Sequence, residues 1–151
     1  MMKPVFILNG PNLNLLGERE PEIYGHETLD DIRQRCATRA ASLTMEIDFR
    51  QSNIEGEIIE SVHEARRAAS AIIINPAGYT FTSIALLDSL KMFDGPTVEL
   101  HISNVHKRES YYHKSLISGV ATGVIIGLGA HGYELAIEAV HGLLRSTAGG
   151  A

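Results

Sequence analysis

Residues 5–20 read VFILNGPNLNLLGERE, an apolar run followed at once by a segment rich in Asn, Gly and Pro. The apolar run is typical of a strand buried on both faces of a sheet. About eighteen residues then separate this strand from the next long predicted helix, where two to six would suffice. Long loops of this kind serve as lids or binding loops, and open α/β sheets hold ligands at the carboxyl ends of strands. We therefore expect a ligand site with a movable cover at this strand end.

The composition is typical of one globular domain covering residues 1–151, with 44% hydrophobic and 21% charged residues. A net charge of −5 provides no basic field for a nucleic acid or an anionic membrane. The single cysteine, Cys36, is consistent with a reducing, cytoplasmic setting. We expect no leader and no membrane span, since no stretch approaches the roughly 18 apolar residues that a span needs. Residues 148–151 are expected to be a disordered tail.

Strand and helix patterns alternate along the whole chain. We predict strands at residues 5–8, 45–49, 71–74, 97–102 and 120–126, helices at 28–43, 54–69, 82–93 and 132–144, and a short irregular or helical piece at 105–113. Thr28, with Asp31 three residues later, suits a helix start, and Asn53 is the predicted cap of the helix that follows it. This alternation predicts an α/β, flavodoxin-like three-layer sandwich with a five-stranded parallel sheet. The polar segments after the first, third and fourth strands should converge at its ligand site.

Two groups of residues at this edge have the chemistry of a catalytic site. Glu99 and His101 are two apart on a strand and share a face, so the carboxylate can hold one ring nitrogen while the other exchanges a proton. Asn75, and likewise Asn12, can donate an amide hydrogen to a developing oxyanion. The alternatives are a hydrogen-bonded core histidine and simple turn chemistry, because Asn-Pro and Gly favour turns.

Arg19 and Tyr24 lie five residues apart in the predicted lid. A guanidinium close to a phenol lowers its pKa from near 10 and makes it a usable base. The alternative is a solvated arginine beside a tyrosine packed at the foot of the loop.

Two further segments suit ligand binding. Gly78 leaves room for close backbone approach to a ligand, and the amides around Ile102 and Ser103 suit a carboxylate, unless they only form a turn.

Several other chemistries are not supported by the sequence. It contains no phosphate-binding Gly-x-x-x-x-Gly-Lys-Ser/Thr motif and no Gly-x-Ser-x-Gly nucleophile elbow. Its histidines include no His-Glu-x-x-His pair and no cysteine partner set, so we expect no metal. None of the four lysines lies in a predicted strand, which argues against a Schiff base. Asn75 replaces the aspartate that a phospho-receiver domain would need at the end of its third strand.

A series of short motifs resembles the type II 3-dehydroquinate dehydratase family over almost the whole chain. They are NGPNLNLLG at 9–17, REP at 19–21, IYG at 23–25, QSN at 51–53 with EG at 55–56, NP at 75–76 with Gly78, TSIAL at 82–86 with Asp88, Glu99, HISN at 101–104 and RE at 108–109. The resemblance implies a lyase without a cofactor that converts 3-dehydroquinate to 3-dehydroshikimate by anti elimination through an enolate.

The resemblance also implies a role for each site residue. Tyr24 is the base that takes the C2 proton, and Arg19 lowers its pKa. Asn12 and Asn75 support the enolate, while His101, held by Glu99, protonates the leaving hydroxyl. Two further implied roles concern binding: Ile102 and Ser103 hold the substrate carboxylate, and Asp88 comes from a neighbouring subunit of trimers assembled into a dodecamer.

The sequence departs from the family pattern at two positions. Phe81 and Tyr112 replace a histidine and an arginine that usually bind the C4 and C5 hydroxyls of the substrate. Two alternatives therefore stay beside the main interpretation: a dehydratase for a related cyclic hydroxy-keto acid, and a non-catalytic small-molecule binding protein. The proton-transfer set of Arg19, Tyr24 and His101 is intact, which a mere binding protein would not need.

Overall fold

In residues 2–18 and 20–148, the part of the chain that this computed structural model describes, five parallel strands form one sheet in the order β2-β1-β3-β4-β5. The strands are β1 Val5–Asn9, β2 Ile47–Gln51, β3 Ala71–Asn75, β4 Thr97–His101 and β5 Gly123–Ile126. The helices are α1 Pro21–Tyr24, α2 Leu29–Ser42, α3 Glu55–Ala68, α4 Ile84–Leu90 and α5 His131–Ala148. This strand order confirms the predicted flavodoxin-like α/β sandwich.

Alternation of side chains along the central strands creates two separate cores. Val5 and Ile7 of β1 face one side, where they pack in a cluster with residues of α2 and α5. Phe6 and Leu8 face the other side, in a cluster with residues of α3 and α4. Because both faces are covered, the central strands β1, β3 and β4 are buried along their whole length, as the continuous apolar runs of β1 and β3 predict for those two strands.

The helix starts show where local signals succeed and fail. Thr28 caps α2 in a capping box with Asp31, as predicted. The predicted cap Asn53 is wrong: Ile54 holds the cap position of α3, and the hydroxyl of Ser52 accepts from its backbone N–H at 2.9 Å. The Asn53 carboxamide oxygen instead accepts a hydrogen bond from the backbone N–H of Asn12 at 2.9 Å, which ties it to the loop after β1.

Several predicted bounds shift because turns compete with regular elements. The second strand begins at Ile47 rather than at residue 45, since the Met45 N–H bonds to the Ala40 carbonyl at the exit of α2. The fourth helix begins only at Ile84, after a 3₁₀ turn at Ala77–Phe81. The piece at 105–113 contains 3₁₀ turns at Val105–Lys107 and Ser110–Tyr112. The predicted fifth strand shortens to β5 because residues 120–122 form the end of a turn and a bend.

The last helix extends further than predicted, and Ala148, expected in the disordered tail, is its final residue. The rest of that predicted tail, residues 149–151, lies outside the described residues. Among the helices of the described part of the chain, none combines the length and apolar character that a membrane crossing requires.

Candidate active site

The carboxyl ends of β1 and β3 lie side by side and are joined directly. Asn9 pairs with Asn75 in the parallel register, and the Gly10 N–H donates to the Asn75 carbonyl at 2.8 Å. A Cβ atom on Gly10 would lie 2.3 Å from the carbonyl oxygen of Pro76. Glycine is therefore required here, because any side chain would push the two site loops apart.

A cavity of about 170 Å³ opens where the first, third and fourth strands end. As predicted, polar segments from all three strand ends converge on it. The candidate residues that line it are Asn12, Asn75, Gly78, Phe81, His101, Ile102, Ser103 and Tyr112. A further side chain in the lining, Arg108, adds a cation that sequence reasoning did not assign to the site.

Glu99 and His101 form a buried pair beside this cavity. The Nε2 atom of His101 lies 2.5 Å from Oε2 of Glu99, so Nδ1 is the ring nitrogen left to exchange a proton with a ligand. The other carboxylate oxygen of Glu99 accepts from the Ser118 hydroxyl at 2.7 Å. Burial acts to raise the pKa of Glu99, but the hydrogen bonds from His101 and Ser118 outweigh it and hold the pKa below its ordinary value. Glu99 is therefore a carboxylate, and its hydrogen bond orients the imidazole.

Asn75 is almost fully buried and has two committed contacts. Its carboxamide oxygen accepts from the Ala77 N–H at 3.2 Å, which is the turn chemistry expected of an Asn-Pro segment. Its amide nitrogen donates to the Tyr133 hydroxyl at 3.0 Å. Asn12 has a left-handed backbone, with φ of 71°, a conformation that asparagine tolerates better than most residues. Both asparagines thus serve the turns and border the cavity as well.

An aromatic wall, formed by Phe81 and Tyr112, lines part of the cavity. Phe81 stacks on the His101 imidazole with ring centroids 6.1 Å apart, and its edge contact with Tyr112 has centroids at 5.4 Å. The Arg108 guanidinium lies 3.9 Å above the Tyr112 ring centre, a cation–π geometry. Where the family pattern has a histidine and an arginine, this site therefore has the aromatic rings of Phe81 and Tyr112. The Arg108 guanidinium lies over the second of these rings.

The predicted lid contains two short helical turns rather than a structureless loop. A 3₁₀ turn covers Leu13–Leu15, and α1 starts with a proline and ends at Tyr24. A Cβ on Gly17, at φ of 91°, would lie 2.9 Å from the His26 carbonyl oxygen, so this loop also needs glycine. Backbone and side chains of the α1 region line an open groove of about 700 Å³, which shares Ile102 and Ser103 with the cavity.

Three predicted site residues are not placed at the cavity. Arg19 and the side chain of Tyr24 lie outside the described residues. Asp88 is exposed on the surface of α4 and, within the described part of the chain, does not line the cavity of its own subunit. Over the same residues, no group of three or more His, Cys, Asp or Glu side chains is arranged to hold a metal ion.

Sequence comparison matches residues 3–141 to the family described as "Dehydroquinase class II". The chain belongs to the class II dehydroquinase family. Two curated relatives from this family, both named 3-dehydroquinate dehydratase, come from Phenylobacterium zucineum and Caulobacter vibrioides. They are 59% and 58% identical to this chain, covering 96% and 97% of it and 100% of each relative. The resemblance stated from the motifs is thus confirmed.

A solved class II dehydroquinase shows the same fold. The type II dehydroquinase from Propionibacterium acnes superposes with a TM-score of 0.90 at 39% identity, covering 94% of this chain and 98% of that one. Membership in the dehydroquinase family therefore rests on sequence and architecture together.

Proposed function

We propose that this chain is a 3-dehydroquinate dehydratase, a lyase that eliminates water from 3-dehydroquinate to give 3-dehydroshikimate through an enolate. The observation that carries the proposal is the buried Glu99–His101 pair beside a cavity at the strand ends, in a chain whose relatives bear that name. Such a reaction must expel a poor leaving group, and an oriented imidazole beside the cavity is a suitable general acid for that step.

The first half of the reaction makes an enolate. Tyr24 acts as the base, with its pKa lowered by the Arg19 guanidinium, and takes a proton from C2 of the substrate. The electron pair of the C2–H bond moves to the C3 oxygen. A proton beside a ketone is weakly acidic, so the rate depends on groups that bind the enolate better than the ketone. Asn12 and Asn75, which border the cavity, donate amide hydrogens to that oxygen.

The second half expels the C1 hydroxyl. The enolate electrons form the C1–C2 double bond, and His101 protonates the departing oxygen so that it leaves as water. Glu99 stabilises the imidazolium that exists before this transfer. The carboxylate of the substrate binds at Ile102 and Ser103, with Gly78 allowing close approach on the facing loop. Tyr24 and His101 act from opposite faces of the ring, which gives anti stereochemistry. No cofactor is needed in this scheme.

A product-absorbance assay with 3-dehydroquinate tests the proposal, because 3-dehydroshikimate has a conjugated enone that the substrate lacks. Sustained production of the enone by the purified protein supports the function. Turnover only of a related hydroxy-keto acid indicates shifted specificity. Calorimetric binding of 3-dehydroquinate with no product indicates a binding protein. The last two outcomes contradict the proposal.

The aromatic wall leads to a prediction about substrate affinity. Phe81 offers no hydrogen bond to a substrate hydroxyl. Tyr112 offers one, but it has neither the positive charge nor the paired N–H donors of an arginine. Each restored contact to a buried hydroxyl is worth about 1–3 kcal/mol. Phe81→His with Tyr112→Arg is therefore expected to lower KM for 3-dehydroquinate at least about tenfold, with kcat changed less than about threefold.

Steady-state kinetics of the double variant checks this prediction. Phe81→His is measured alone as well, because Arg108 lies against position 112 and would face the new arginine. Tyr111→Arg is the control, since it adds the same charge at an exposed neighbouring site. A change of about a thousandfold in kcat with an unchanged KM would show that these two positions act in the transition state instead.

The proposal includes the assembly and the location. The exposed Asp88 carboxylate on α4 is available to a neighbouring subunit, and Ile84, one turn before it, is 63% exposed. The family resemblance implies trimers gathered into a dodecamer, and analytical ultracentrifugation measures this assembly directly. The free, buried Cys36 thiol supports a cytoplasmic location.

A further inference from the structure

We propose that Tyr133 is a positioning residue that fixes the orientation of the Asn75 amide toward the enolate. The inference rests on the proposed dehydratase function. Tyr133 is fully buried at the start of α5, the helix that packs on the same face of the sheet as Asn9 and Asn75. Its hydroxyl sits between these two asparagine side chains.

The hydrogen bonds run in one direction through this group. Asn9 donates from its amide nitrogen to the Arg50 carbonyl at 2.9 Å, which leaves its carboxamide oxygen as an acceptor. The Tyr133 hydroxyl donates to that oxygen at 2.7 Å. With its only hydrogen used, the hydroxyl must accept from Asn75, whose amide nitrogen lies 3.0 Å away. The backbone of β2 thereby sets the orientation of an amide two strands away.

The other side of the Asn75 amide agrees with this orientation. Its carboxamide oxygen accepts from the Ala77 N–H, so a flipped amide would place two donors against each other there. The second N–H hydrogen of Asn75 has no partner within the described residues, and Asn75 borders the cavity. That hydrogen is the one available to a developing oxyanion. A flipped amide would present an oxygen to the enolate and repel it.

Tyr133 is suited to this task because it keeps its hydrogen. Burial raises the pKa of Tyr133 well above its ordinary value, so the phenol stays neutral at every pH used for assay. A donor fixed before the reaction begins costs no reorganisation when charge develops on the substrate. Loss of the hydroxyl should therefore affect the transition state more than substrate binding.

The test is a double-mutant cycle on the full-length protein, with 3-dehydroquinate as substrate. Tyr133→Phe deletes only the hydroxyl and is expected to lower kcat at least about tenfold, with KM within about twofold of wild type. Asn75→Ala, which removes the amide itself, should lower kcat about a hundredfold or more. Adding Tyr133→Phe to Asn75→Ala should change kcat less than about twofold, because the residue acts only through Asn75.

Ile137→Val is the matched control, since Ile137 is fully buried one turn further along α5 and makes no side-chain hydrogen bond. It removes a methyl group from the same core and should leave kcat and KM unchanged. A cooperative thermal unfolding transition in each variant shows that it is folded. If Tyr133→Phe does not fold, Asn9→Ala replaces it. That variant frees the phenol hydrogen and is expected to lower kcat in the same direction with KM unchanged.

Two results would overturn the inference while leaving the dehydratase function intact. One is a Tyr133→Phe variant, or its Asn9→Ala substitute, with wild-type kcat. The other is an equal fall in kcat when Tyr133→Phe is introduced into the wild-type protein and into the Asn75→Ala variant. A wild-type protein that produces no 3-dehydroshikimate would overturn the function and the inference together.

Discussion

Replacing His101 by alanine is expected to lower kcat about a thousandfold while the protein remains folded. General acid catalysis by a positioned side chain contributes about 10²–10⁴ in rate, and hydroxide is too poor a leaving group to depart unprotonated. The His101 side chain lies in a residue that is only 5% exposed, and it is paired with a fully buried carboxylate. The measurement is kcat by product absorbance, with circular dichroism to verify the fold.

Two companion variants make this prediction sharper. Glu99→Gln keeps the shape of the pair but removes the negative charge that holds the imidazole, and it should lower kcat about a hundredfold. His106→Ala removes an exposed imidazole on the same loop and should leave kcat unchanged. A His101→Ala enzyme retaining more than about a tenth of wild-type kcat would show that another group delivers the proton.

Replacing Tyr24 by phenylalanine is expected to lower kcat by at least about a thousandfold, with KM changed little. The substitution keeps the ring and deletes only the oxygen that we propose takes the C2 proton. A carbon acid next to a ketone exchanges its proton slowly without a base, so the uncatalysed step becomes limiting. The phenol needs the Arg19 guanidinium to be a competent base near neutral pH, because an ordinary tyrosine has a pKa near 10.

Tyr111→Phe is the control for this substitution, since Tyr111 is 66% exposed and removing its hydroxyl should not affect turnover. Single-turnover kinetics with each variant separates binding from proton abstraction. Near-normal rates in Tyr24→Phe would remove this residue from the mechanism and show that another group is the base.

Patterns of burial made the architecture predictable. The apolar runs at Phe6–Leu8 and Ile72–Ile74 are continuous because both faces of the central strands are covered, and that signal is local to the sequence. Ends of elements were harder, because they depend on partners far away in sequence. Asn53 looked like a helix cap, yet its oxygen bonds to Asn12, forty-one residues earlier.

The candidate site likewise contains contacts that could be predicted from the sequence and contacts that could not. Glu99 and His101 could be paired from their spacing alone, because residues two apart on a strand share a face. Tyr133 could not be connected to Asn75 from the sequence, since fifty-eight residues separate them and the contact depends on how α5 lies on the sheet. Arg108 was likewise brought to the cavity by the turns after β4, which have no periodic pattern.

The most direct test of the mechanism is the fate of deuterium placed stereospecifically at C2 of 3-dehydroquinate. Tyr24 and His101 acting from opposite faces should remove the hydrogen anti to the C1 hydroxyl. Mass spectrometry of the 3-dehydroshikimate should then show complete loss of an anti label and full retention of a syn label. Retention of the anti label with loss of the syn label would contradict the scheme, because one face would then supply both the base and the acid.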